Sequence, residues 1–185
     1  MDDNYQRDYI IVENFLDNKT CLSILENSIF SNTHTTKFGK TFERNEKRNY
    51  ESSILNNEFK SIIFEKIRKL PFYFNAMKYE INDLIRMNKY SIGDYCLKHC
   101  DTVVTRYQFT FLLFLNTTEE GGELKFIDKN VLIKPIEGRA VLFKPQLIHE
   151  SLPVKKGNKI VLRTDILNIS PNNFEEIFDS DDEMD

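Results

Sequence analysis

The chain has 185 residues, a formal net charge of −4 and 41% hydrophobic residues, enough to enclose one real core. Its apolar runs, such as Phe109 to Leu115, are far too short to span a bilayer, and the N-terminal MDDNYQRDYI has acids where a secretory signal would have an apolar stretch. Cys21, Cys96 and Cys100 are odd in number and form no CxxC pair, which argues against a disulfide framework and points to a cytoplasmic or other reducing intracellular compartment.

In chain order, Tyr9 to Phe15 (YIIVENF) reads as a short β-type run. Asp17 is placed to cap a helix through roughly Ile29, with Leu22, Ile24, Leu25 and Ile29 as its apolar positions. The polar stretch from Thr33 to Asn49 has no clean period and is expected to be irregular or to form short strands at a sheet edge. A second amphipathic helix is predicted from about Ser53 to Leu70, because Ile54, Leu55, Phe59, Ile62, Ile63, Ile67 and Leu70 recur at spacings of three and four. Pro71 fits a stop after it.

From Tyr79 the texture changes to short apolar or alternating runs at 83–90, 104–116, 123–127, 131–134, 138–144 and 159–169. They are separated by Gly93-Asp94, Gly121-Gly122, Pro135 to Gly138 and Gly157-Asn158. Short strands at this spacing indicate an antiparallel sandwich or jelly roll. The expected organisation is therefore α+β with a mainly β core: supporting strand and helices over 1–78, a jelly-roll core over 79–170, and an acidic tail, FEEIFDSDDEMD in its last stretch, over 171–185. That tail holds much of the negative charge and is expected to be disordered. The body is then close to neutral or slightly basic, and no nucleic-acid face emerges beyond the local patch KKGNK at 155–159.

Three residues carry the chemistry. In an extended His99-Cys100-Asp101, side chains two apart share a face, so His99 and Asp101 converge while Cys100 turns away. Taken singly, a surface His and Asp is the commoner reading of such a pair. His149 closes GRAVLFKPQLIHE at what should be the end of a core strand, and by itself would be a satisfied core histidine. Yet the chain has only three histidines, and a jelly roll can bring these two together. Two imidazoles and one carboxylate cover one face of a metal and leave the other open, as a non-haem Fe(II) oxygenase requires; a zinc hydrolase can use the same donors. Beyond His149, the strand starting near Lys159 puts Lys159, Val161, Arg163 and Asp165 on one face. A cation inside a barrel is costly without an anionic partner, which a dicarboxylate cosubstrate would supply. For Lys159, beside the turn, a solvated position is a substantial alternative; Arg163, embedded in IVLRTDIL, is more in need of a partner, which could be Asp165 or Asp101 in place of a cosubstrate. Phe111, Leu113, Phe143 and Val161 are candidates for a dry lining.

RMNKYSIGDYCLKHCD, then FTFLLFLN with GGELKF, then IKPIEGRAVLFKPQLIHESLPVKKGNKIVLRTDIL together resemble the prolyl 4-hydroxylase-like group of the 2-oxoglutarate/Fe(II)-dependent dioxygenases. The resemblance runs from about Arg86 to Ile169, and YIIVENFLDNKTCLSILEN is similar to the group's entry strand and first helix. It implies a double-stranded β-helix with His99, Asp101 and His149 as iron ligands. It also implies that Tyr90 contacts 2-oxoglutarate and that Lys159, ten residues past the distal histidine, binds its far carboxylate; Arg163 departs from the prolyl hydroxylase pattern. The implied reaction consumes 2-oxoglutarate and O₂, with room for ascorbate as an auxiliary, and hydroxylates a C–H bond of a protein or peptide side chain, proline being the first to test. The stretch 33–52 and the loop Thr102 to Arg106 are expected at the substrate rim. A zinc-dependent metalloenzyme and a catalytically inactive jelly-roll binding protein stand as alternatives. Oligomeric state is not legible in the sequence.

Overall fold

The computed structural model describes residues 8–35, 41–70, 79–101 and 107–168. The acidic tail, Pro71 and the loop Thr102 to Arg106 lie outside the described residues. The elements run β1 (Tyr9–Val12), α1 (Asn18–Glu26), β2 (Thr33–Thr35), β3 (Thr41–Glu43), β4 (Arg48–Asn49), β5 (Glu51–Ile54), α2 (Asn57–Arg68), β6 (Tyr79–Ile81), β7 (Arg86–Tyr90) and β8 (Tyr95–His99). They continue with β9 (Tyr107–Phe114), β10 (Glu120–Gly121), β11 (Leu124–Phe126), β12 (Val131–Ile133), β13 (Ala140–Phe143), β14 (His149–Ser151), β15 (Val154–Lys156) and β16 (Lys159–Asn168).

Two antiparallel sheets face each other in a jelly-roll sandwich. The major sheet runs β1-β13-β9-β16-β7-β5, with β6 also on β16; the minor sheet runs β12-β11-β14-β8-β4. Alternation divides each strand of the major sheet between two cores. Phe111, Leu113, Ala140, Leu142, Ile160 and Leu162 point outward and pack with Cys21, Ile24, Phe59, Ile63 and Ile67 of the two helices. Leu112, Phe114, Val141, Phe143 and Val161 point inward and meet Leu124, Phe126 and Ile133 of the minor sheet. Phe111 and Leu113 are therefore helix-facing and do not line the interior of the sandwich, contrary to expectation; the β9–β16 register turns Thr110 and Leu112 inward instead.

The helices follow local rules with shorter bounds than predicted. Asp17 caps α1, its carboxylate accepting from the Thr20 N–H at 2.9 Å, but the helix stops at Glu26 and leaves Ile29 outside and exposed. Of the other predicted apolar positions of α1, Leu22 is exposed as well. α2 starts at Asn57 with Asn56 as its cap. Ser53 and Ile54, predicted as its first residues, are drawn into β5 by pairing with Met87 and Arg86. The polar stretch does form short edge strands: β2 pairs β3, and β4 extends the minor sheet.

Gly138 joins the entry segment to the sandwich. Its φ is +73°, its N–H donates to the Phe114 carbonyl at 2.9 Å, and a Cβ there would lie 2.2 Å from the Leu16 carbonyl oxygen. Both the left-handed backbone and the close approach require glycine. Gly138→Ala is expected to cost at least about 1–3 kcal/mol, read as a lowered thermal midpoint; an unchanged midpoint would refute this account of the turn.

Candidate metal and cosubstrate site

The minor sheet assembles the three donors. His99 ends β8, His149 opens β14, and the two face each other as directly paired residues of neighbouring strands, ring centroids 4.3 Å apart. His149 thus begins a strand of its own after the turn that follows β13, and does not close the core strand as the sequence suggested. Asp101 lies two residues past β8, its N–H donating to the Pro145 carbonyl at 2.9 Å, while Cys100 between them is exposed. One donor atom from each of His99, Asp101 and His149 falls within 4.8 Å of the others.

Each imidazole is oriented by its own chain. The Nδ1 of His99 bonds the Leu97 carbonyl at 2.8 Å and that of His149 bonds the Leu147 carbonyl at 2.9 Å. A ring nitrogen bonded to a carbonyl is the protonated one, so both Nε2 atoms are left facing Asp101, 3.9 and 4.0 Å from its carboxylate oxygens. The Phe143 ring packs edge-on against His149 at 4.7 Å. Burial pushes His149 down to about 4, which keeps its lone pair free at neutral pH. For His99 burial also opposes charge, but the Cys96 sulfur and the Asp101 carboxylate outweigh it and hold the ring up near 9. A metal at Nε2 would have to displace that proton.

Asp101 is buried, which alone would favour its neutral form. The Arg163 guanidinium beside it, the two imidazoles and the Thr110 hydroxyl outweigh burial and hold the carboxyl well below the usual range. Arg163 Nη2 donates to Asp101 Oδ1 at 2.7 Å and lies 3.3 Å from Asp165; Thr110 donates to Asp101 Oδ2. Thr110 escaped the sequence reading because only the β9 register turns it toward Asp101.

The second cation is placed differently. Lys159 is 1% exposed, deeper than Arg163, whose side chain is 17% exposed, so burial favours Lys159, opposite to expectation. No carboxylate lies within 4 Å of its ammonium among the described residues. The ammonium sits over the Tyr90 ring, 3.9 Å from its centroid. Burial pushes Lys159 down to about 7. The triad opens into a cavity whose wall includes Tyr90, Leu112, Leu124, Val161 and Arg163, together with His34, Arg48, Tyr50 and Arg86. Lys159 itself is not part of this wall, but Tyr90, against which its ammonium lies, is. Part of the 33–52 stretch does line the cavity, through His34, Arg48, Tyr50 and Ser52.

Two imidazole nitrogens and one ionised carboxylate, converging on one cavity, fit a divalent metal with open positions, and a buried ammonium with no carboxylate within 4 Å among the described residues fits one end of a dicarboxylate. Among the described residues, no helix is long and apolar enough to cross a membrane.

Comparison with known proteins agrees. The family model of the 2OG-Fe(II) oxygenase superfamily matches residues 85–164. No curated protein matches the chain. Among solved structures, the viral collagen prolyl hydroxylase of Paramecium Bursaria Chlorella virus-1, in its 2OG complex, superposes with a TM-score of 0.66 at 24% identity, covering 88% of this chain and 97% of that one. A Pseudomonas putida prolyl-4-hydroxylase gives 0.62 at 14% identity, over 91% and 96%. A 2OG-Fe(II) oxygenase family oxidoreductase of Burkholderia pseudomallei gives 0.63 at 12%, over 86% and 85%. At these identities the structural likeness speaks for the fold, and the family match over the β core speaks for the chemistry. Over residues 85–164 the chain thus matches the 2OG-Fe(II) oxygenase superfamily, its His-Asp-His set fits the metal of such an enzyme, and its fold resembles that of the prolyl 4-hydroxylases.

Proposed function

We propose that this oxygenase hydroxylates a C–H bond on a protein or peptide side chain, with proline the first residue to test. The observation that carries the site assignment is the pair of Nδ1–carbonyl bonds, which leave two Nε2 donors facing the ionised Asp101. In this reading His99, Asp101 and His149 hold the iron, and Thr110 and Arg163 keep the Asp101 carboxylate charged and oriented. Lys159 pairs with the far carboxylate of 2-oxoglutarate, since, unlike Arg163, it is fully buried with no carboxylate within 4 Å among the described residues, and its ammonium lies against Tyr90 of the cavity wall. Arg163, already shared between Asp101 and Asp165, serves the metal ligand in preference to the cosubstrate. Leu112, Leu124 and Val161 keep that side of the cavity apolar.

Bound Fe(II) and 2-oxoglutarate supply the oxidising chemistry that couples decarboxylation to hydroxylation; the chain's own work is binding, orientation and exclusion of water. The peptide substrate is supported by the prolyl hydroxylases among the structural neighbours.

Anaerobic addition of Fe(II) and 2-oxoglutarate is expected to produce a weak visible metal-to-ligand charge-transfer band. On admission of O₂, succinate should form and proline-containing peptides should gain one oxygen atom. Loading with succinate formation but no peptide oxidation would remove the peptide substrate; hydrolytic activity with Zn(II) and no O₂ requirement would favour the zinc reading of the same donors.

A further inference from the structure

Asp101 is not the only carboxylate on its guanidinium. Nη2 of Arg163 donates to Asp101 Oδ1 at 2.7 Å, and the same nitrogen lies 3.3 Å from Oδ1 of Asp165. One cation thus bridges two carboxylates, both of them buried. The sequence prepares this arrangement. Arg163 and Asp165 are two apart on β16, so alternation puts both on the inward face, where Asp165 is the direct cross-strand partner of Thr110 on β9. Thr110 donates to the other oxygen of Asp101. Asp101, Thr110, Arg163 and Asp165 therefore form one cluster, drawn from the segment after β8, from β9 and from β16.

Orientation of Asp101 does not require the second carboxylate, because Thr110 and Arg163 between them hold both of its oxygens. Charge does. In a buried one-to-one ion pair the guanidinium that keeps the carboxylate ionised also cancels the field that a divalent cation would meet there. The register strengthens this opposition. Arg86 of β7 is the cross-strand partner of Arg163, and both belong to the cavity wall, so two guanidiniums stand side by side near the metal donors. A second carboxylate on Arg163 acts against it. Shared between two anions, the guanidinium fully neutralises neither, and Asp101 keeps negative charge for the metal. Burial lowers the local dielectric, so the effect carries across the cluster. Groups behind a metal ligand act in this way, through the ligand and without touching the ion.

We propose that Asp165 is a positioning residue of the metal centre that acts through Arg163. It holds the guanidinium between two carboxylates, so that Asp101 retains the charge needed to bind a divalent cation. This inference rests on the reading of His99, Asp101 and His149 as the metal donors.

The test is the affinity of the full chain for Mn(II), without 2-oxoglutarate or O₂, followed by the paramagnetic resonance of the free ion, which reports binding with no turnover. Mn(II) is the weakest binder of the first-row series, so a change of charge shows in its affinity. The donor set is checked first: a wild type that binds no Mn(II), or binds it no better than Asp101→Ala, overturns the metal reading and the inference with it. With that difference present, Asp165→Asn is expected to bind Mn(II) about 10- to 100-fold more weakly than the wild type, and Asp165→Glu to recover part of the loss. The deciding variant combines Arg163→Gln with Asp165→Asn. It removes one cation and one anion together, so the net charge around Asp101 returns to that of the wild type, and it is expected to bind Mn(II) more tightly than Asp165→Asn alone. A merely structural role predicts the reverse, because the double variant loses two buried partners. Should Asp165→Asn misfold by circular dichroism, Asp165→Ser takes its place. An Asp165 variant that binds Mn(II) as the wild type does, or a double variant that binds it no more tightly than the single one, overturns the proposal.

Discussion

Asp101→Ala is expected to abolish the charge-transfer band and to lower 2-oxoglutarate decarboxylation by more than about 100-fold, beyond the range for losing an outer partner of a metal ligand. The geometry makes the effect large. Asp101 is the one carboxylate of the set, and its charge is enforced by Arg163, by the two imidazoles and by Thr110 against the pull of burial. Removing it leaves two imidazoles with no anionic donor beside the Arg163 cation, whose charge then repels a second cation. The fold should tolerate the change, because Arg163 keeps Asp165 at 3.3 Å. The measurement is the band and succinate yield together with the far-ultraviolet circular dichroism of the variant. A folded variant that retains the band would mean that Asp101 is not a ligand.

Lys159→Met is expected to separate stability from function. The ammonium is held under Tyr90 without a carboxylate among the described residues, and burial pushes it down to about 7 from the ordinary 10.5. The unfolded chain keeps the proton up to about 10.4, so between about pH 7 and 10.4 the unfolded state binds more protons. Stability of the cosubstrate-free protein should therefore rise with pH in that window, by up to about 1.4 kcal/mol per unit, and level off below it where both states are protonated. Methionine fills the same space without the desolvation cost, so the variant should melt higher at pH 7 and lose this slope. Its requirement for 2-oxoglutarate should rise about 10- to 100-fold, the worth of a charge-assisted contact. In the wild type, 2-oxoglutarate affinity should fall as pH rises above about 7, because the pairing cation is then being deprotonated. A variant that melts lower and keeps its cosubstrate requirement would make Lys159 a packing residue and return the anchor to Arg163.

The two cations differ in a way that spacing and alternation could not reveal. Both lie on the inward face of β16, as period-two alternation requires, and both were legible as barrel cations. What separates them is the company each keeps. Arg163 bonds Asp101 beyond β8, which Thr110 of β9 also bonds, while Lys159 lies beside Tyr90 at the other end of the strand. Those neighbours come from distant parts of the chain and enter only when the sheets close.

The residue types and their local order were enough to read a mainly β chain with two supporting helices, the Asp17 cap, the same-face His99 and Asp101, the third donor His149 and the inward cations. These depend on alternation, capping and the scarcity of histidine, all of which act over a few residues. Tertiary pairing decided the rest. Ser53 and Ile54 left a helical pattern for β5 because β7 offered them a ladder, and Phe111 and Leu113 turned toward the helices because of their place on β9. Arg86 came to face Arg163 because β7 and β16 are paired in one register, in which a shift of one residue would send every inward side chain to the other face.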